Sequence, residues 1–111
     1  VLGGFSQGAM LSVDLALAAR ERPFAGLAVL SGMLIEADRW TASAKVVGPG
    51  LHVLQSHGKH DPLLPFSLAQ RLRDVLAAAG AEVELVTFAG GHEIPGVVLE
   101  ALGRFCRARL P

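Results

Sequence analysis

Ser6, Asp61 and His92 are the three side chains whose types and settings could together cleave an acyl bond. Ser6 sits in Gly4-Phe5-Ser6-Gln7-Gly8, between a short apolar run and a long apolar helix. A G-x-S-x-G pentapeptide in that setting reads as a nucleophile elbow. The turn is too tight for side chains beside the serine, so glycine flanks it on both sides and the hydroxyl is lifted clear. A serine hydroxyl stays inert at neutral pH until a base takes its proton. His92, in Gly90-Gly91-His92-Glu93-Ile94-Pro95, is the candidate base, because an imidazole titrates near neutrality and can shuttle a proton. Asp61, in His57-Gly58-Lys59-His60-Asp61-Pro62, would orient that imidazole and stabilise its cation. Gln7 follows the nucleophile, where a backbone N–H supplies one oxyanion donor.

Each residue also has a structural reading. Serine is a favoured helix N-cap, so Ser6 could serve only to start a helix. Asp14 and Asp74 lie on expected helices and Asp38 in a long connection, which leaves Asp61 the preferred carboxylate. His52 falls within an expected strand, and His57 is expected to pack at a turn. His57, His60 and Asp61 form a His-x-x-His-Asp run that zinc could use. No H-E-x-x-H and no cysteine pair accompanies it, so no metal and no cofactor is expected.

The elements that must position these groups alternate along the chain. Val1 to Phe5 reads as a strand tail. Gln7 to about Arg22 reads as a helix, apolar nearly all round and therefore expected to be buried, with Pro23 closing it. Ala25 to Ser31 is a second apolar strand. Gly32 to Gly50 is a long connection around Trp40, with a helical turn near 36–43. Leu51 to Gln55 is a third strand running into the His57-Gly58 turn. Pro65 to Ala79 is a helix ended by Gly80, Val83 to Phe88 a fourth strand, and Pro95 to about Arg109 the last helix. Strands alternating with helices imply βαβ units and about four parallel strands in a three-layer α/β/α sandwich. In such sheets chemistry gathers beyond the carboxyl ends of the strands, and Ser6, Asp61 and His92 each follow a strand there.

Composition narrows the class. A chain of 111 residues forms one domain at most. Apolar residues make up 51% and charged residues 18%, as suits strands covered on both faces. No run approaches the roughly 18 apolar residues that a membrane span needs; Ala9 to Ala19 is interrupted by Asp14. Net charge is zero and the basic residues are scattered, with Arg104, Arg107 and Arg109 in a last helical turn, which argues against a nucleic-acid partner. Cys106 is the only cysteine, so no internal disulfide forms, and its amphipathic setting predicts a buried thiol. The chain begins at Val1, inside an apparent strand, and is expected to be the C-terminal part of something longer. A cytoplasmic location is expected.

Taken together, Leu2-Gly3-Gly4-Phe5-Ser6-Gln7-Gly8-Ala9, Leu30-Ser31-Gly32, His57-Gly58-x-x-Asp61-Pro62 through Pro65, and Gly91-His92-Glu93-Ile94 resemble the phospholipase/carboxylesterase family of α/β-hydrolases. That family includes the acyl-protein thioesterases. The resemblance implies the C-terminal portion of an α/β-hydrolase fold over residues 1–111, without the earlier strands and second oxyanion loop of the family. It implies a serine esterase or thioesterase acting on a small-molecule ester through Ser6, His92 and Asp61. It also places Met33, Leu34, Leu63 and Leu64 in loops that line the acyl pocket, although core packing would use the same residues. The rival expectation is a non-catalytic half-domain. Its first strand would be an open apolar edge, inviting a second copy or a complementing chain.

Overall fold

Strands and helices alternate without exception in the computed structural model, which describes residues 1–110: β1 (Leu2–Phe5), α1 (Gln7–Ala18), β2 (Leu27–Leu30), α2 (Ala37–Val47), β3 (His52–Gly58), α3 (Phe66–Ala78), β4 (Glu82–Phe88) and α4 (Gly96–Ala108). The strands form one parallel sheet in the order β1-β2-β3-β4. A sheet that grows in one direction through right-handed crossovers keeps its connecting helices on one face. Accordingly Val13 and Leu17 of α1, Trp40 and Ala44 of α2, and Leu72 and Leu76 of α3 share one core with Leu27, Val29 and Val53. Leu54 faces the other way and packs with Ala101 and Phe105 of α4. The result is the three-layer α/β/α arrangement.

Burial explains the strand sequences. Every residue of β2 is buried, as is β3 from Val53 onward, so both strands dispense with polar alternation. β3 runs further than its apolar stretch predicts. Ser56, His57 and Gly58 continue the ladder past Gln55 because Val86, Thr87 and Phe88 of β4 pair with them in turn. A neighbouring strand overrides weak side-chain preference at these positions.

Two expectations for α1 are corrected. The helix stops at Ala18 rather than near Arg22, because Arg20, Glu21 and Arg22 bring nothing apolar to bury and are mostly exposed. Nor is it enclosed on all sides. Ala9, Val13, Ala16 and Leu17 are buried, whereas Leu11 and Leu15 are 61% and 49% exposed. In α2 the expected single turn becomes three. Trp40, Ala44 and Val47 make a buried stripe at helical spacing, and the Trp40 indole donates to Asp14 Oδ1 at 2.9 Å. Trp40 is therefore part of the main core. Cys106 is only half-buried. Among the described residues no helix is long and apolar enough to cross a membrane.

Candidate active site

The elbow is built from backbone geometry. Ser6 adopts φ 58° and ψ −118°, a left-handed conformation that costs a non-glycine residue energy and lifts its hydroxyl off the strand end. Its N–H donates to the Leu30 carbonyl at 2.9 Å, and its own carbonyl accepts from Ala9 and Met10, so the strained residue is held from both sides. The two flanking glycines are not equivalent. A Cβ on Gly4 would drive into the backbone of Gly8, while one on Gly8 would meet nothing within 4 Å. Only Gly4 is demanded by the turn, which corrects the symmetrical expectation.

Asp61 and His92 arrive from the ends of β3 and β4. The two loops interlock: Lys59 N–H donates to Phe88 O at 2.9 Å and His60 N–H to Gly90 O at 3.0 Å. A Cβ on Gly58 would collide with the carbonyls of Gly90 and Gly91, so glycine there allows the loops to meet. Asp61 Oδ1 accepts from the N–H groups of Leu63 and Leu64 at 2.8 and 2.9 Å. Its Oδ2 lies 2.7 Å from His92 Nδ1, and His92 Nε2 lies 2.8 Å from Ser6 Oγ. A carboxylate only accepts, so Nδ1 carries the proton and Nε2 is left free to accept from the serine hydroxyl. The Asp61 side chain has no exposure and that of His92 only 14%. Burial alone would raise the Asp61 pKa. The Leu64 N–H, the His92 imidazole and the Leu63 N–H outweigh it, and hold the carboxyl below the ordinary carboxylate range.

Gln7 is the first residue of α1, so its N–H has no intrahelical acceptor. Gln7 also lines, with Met10, Leu11, Asp14, Ile35, Glu36 and Arg39, a cavity of about 350 Å³ whose lining does not include Ser6 or His92.

The sequence profile described as Phospholipase/Carboxylesterase matches residues 1–110. The chain belongs to the phospholipase/carboxylesterase family. Among curated relatives, acyl-protein thioesterase 1 of Neurospora crassa is 31% identical over 116 residues, covering all of this chain and 46% of the relative. Acyl-protein thioesterase 1 homolog 1 of Dictyostelium discoideum is 29% identical over 112 residues, covering all of the chain and 49% of the relative. Among solved structures, Arabidopsis thaliana SOBER1 matches with a TM-score of 0.84 at 26% identity, over 98% of this chain and 52% of that one. Esterase PE8 matches with a TM-score of 0.84 at 25% identity, over 97% and 49%. The chain thus spans about half the length of the curated relatives it matches.

Within this phospholipase/carboxylesterase chain the four pocket candidates separate. Leu63 is 68% exposed, and Met33 and Leu64 are partly exposed. Leu34 is a correction: its side chain is 7% exposed and belongs to the main core. Its N–H donates to Leu68 O at 3.2 Å, which draws the segment inward over α3. Ile35 instead faces the cavity beside Gln7.

Two further residues carry more than their motif letters suggested. The Phe5 ring lies 4.9 Å from the His92 ring, tilted by 35°. Ser31, fully buried, is the second left-handed non-glycine residue at φ 56°. Its N–H donates to Ser56 O at 2.8 Å and its hydroxyl to Glu93 O at 3.4 Å. A serine ending a fully apolar strand was the available signal for Ser31. For Phe5 no local pattern marked the contact.

Proposed function

We propose that the protein carrying this chain is a serine hydrolase of carboxylic esters or thioesters. The observation that supports this most is the hydrogen-bonded line from Ser6 Oγ through His92 to Asp61, with the serine in a left-handed elbow. Names among the relatives, acyl-protein thioesterase and esterase, agree with that chemistry.

As Ser6 Oγ attacks the acyl carbonyl, its proton passes to His92 Nε2. Asp61 keeps the opposite nitrogen protonated and stabilises the imidazolium. The tetrahedral oxyanion turns toward the Gln7 N–H, a donor of a kind worth about 2.7–4 kcal/mol to the transition state. His92 then returns the proton to the departing alcohol or thiol oxygen or sulfur, leaving an acyl ester on Ser6. A water gives a proton to the same imidazole and attacks that ester; His92 then passes this proton to Ser6 Oγ as the acyl–oxygen bond breaks, which frees the acid and regenerates the hydroxyl. The acyl group is assigned to the region of Met33, Leu63 and Leu64, partly or largely exposed side chains in the loops after β2 and β3. No cofactor takes part.

Fluorophosphonate labelling tests the reading. The native protein is expected to be modified at Ser6 and to hydrolyse a nitrophenyl or thioester substrate, and Ser6→Ala to lose both. Undiminished turnover by Ser6→Ala would refute it.

A second reading rests on another observation. Among the described residues β1 lies at the sheet edge, with Leu11 and Leu15 of the adjoining helix exposed. Such an edge is a template for another strand. On this reading the 111-residue chain is a non-catalytic half-domain that associates with another polypeptide through this edge, and its Ser6 is silent. A monomeric chain that labels rapidly at Ser6 would exclude it.

A further inference from the structure

We propose that His57 is a positioning residue for the Asp61–His92 pair, an inference that rests on the reading of those two residues given above. His57 is fully buried in β3, where an aliphatic side chain would pack without any polar group to satisfy. Its ring sits 6.0 Å from that of Phe66, at 48°, against the start of α3. One nitrogen, Nδ1, has no hydrogen-bond partner. The other, Nε2, is 2.8 Å from the Leu64 carbonyl oxygen and 3.4 Å from Asp61 Oδ2. A carbonyl only accepts, so Nε2 carries a proton and donates it. The cost of burying this imidazole is thus offset at a single atom, the one aimed at the acid loop.

The contact closes a continuous circuit. His57 Nε2–H holds Leu64 O at 2.8 Å; Leu64 N–H holds Asp61 Oδ1 at 2.9 Å; Asp61 Oδ2 accepts from His92 Nδ1 at 2.7 Å; and His92 Nε2 meets Ser6 Oγ at 2.8 Å. Leu64 is pinned through both its N–H and its C=O, so the 61–64 turn cannot rotate without breaking the circuit. β3 lies in the sheet interior, paired on both sides by β2 and β4, and His57 transmits that rigidity to a carboxylate on a loop. The same N–H lies beside Oδ2, the oxygen that receives His92, and favours the rotamer presenting it.

The chemistry of the ring predicts which replacements work. Glutamine can place an amide N–H near the position of Nε2. Asparagine is too short, and phenylalanine fills the space with no donor. In the full native protein, His57→Phe and His57→Asn are expected to lower kcat and the rate of fluorophosphonate labelling by about 10- to 100-fold, with KM little changed, as for a lost hydrogen bond near a charge. His57→Gln is expected to stay within about threefold of the native rate, since the donor is retained. The low-field proton signal of the His92 imidazole gives a readout independent of turnover. It is expected to persist in His57→Gln and to shift upfield or broaden in the other two. Should His57→Phe not fold, the Gln and Asn pair carries the comparison. Folded Phe or Asn variants with native rate and native signal would overturn the proposal, as would a glutamine variant as impaired as the asparagine one. A native protein that shows the low-field signal without labelling at Ser6 would refute the hydrolase reading while leaving the role of His57 in place.

Discussion

His92 Nε2 lies 2.8 Å from Ser6 Oγ although 86 positions separate the two residues along the chain. The approach is set by the sheet: among the described residues β1 and β4 occupy its two edges, the Ser6 N–H is tied to Leu30 O at the end of β2, and the His60 N–H after β3 is tied to Gly90 O after β4. The 2.7 Å contact between His92 Nδ1 and Asp61 then fixes which nitrogen faces the serine.

Asp61→Asn isolates that orientation. Asparagine can still accept from the N–H groups of Leu63 and Leu64 through Oδ1, but its amide N–H would face His92 Nδ1. The imidazole must then carry its proton on Nε2, where it can no longer accept from Ser6. Ester turnover is expected to fall by a factor on the order of 10⁴ with KM little changed, measured by steady-state kinetics. A loss below about tenfold would show that tautomer control is not the function of Asp61.

The same carboxylate predicts an acid response. Its folded-state pKa lies below the unfolded value of about 3.9, so it favours the folded protein above roughly pH 4. That contribution disappears as pH falls through the folded value. Urea midpoints are therefore expected to drop more between pH 5 and pH 3 for the native protein than for Asp61→Asn. Asp14 is also depressed, chiefly by the Trp40 indole N–H, and acts with the same sign in both proteins, so it cancels from the comparison. Equal drops would contradict the assignment.

The elbow glycines are expected to behave oppositely. Gly4→Ala pushes a methyl into the Gly8 backbone, so it should displace α1 and cost at least about 2 kcal/mol, with labelling of Ser6 lost. Gly8→Ala points into open space within a helix and should be neutral or stabilising by up to about 1 kcal/mol. Thermal or urea unfolding of the two variants, read beside their labelling rates, checks the asymmetry.

Phe5 supports the imidazole ring from the strand side. Phe5→Ala removes an aromatic pair of the kind worth about 0.5–1.5 kcal/mol, so labelling at Ser6 is expected to slow by about two- to tenfold. Phe5→Trp or Phe5→Tyr should recover most of the rate. Unchanged labelling in Phe5→Ala would show that His92 is held by its hydrogen bonds alone.

Several features were legible in the residues themselves because they depend on nearby chain. Gly4 before Ser6 announces a tight turn, alternating apolar strands and helices announce a parallel sheet, and the strand-end rule brings Ser6, Asp61 and His92 to one rim. Other features depend on partners far away in sequence. β3 reaches Gly58 only because β4 pairs with it; Leu34 turns inward because Leu68 holds its backbone; Leu11 and Leu15 are exposed because nothing in residues 1–110 covers that side of α1. Amino-acid type sets which conformations and contacts are affordable within a few residues. Which of them are realised, and the few tenths of an ångström that separate a hydrogen bond from a near miss, are decided by packing across the whole sheet.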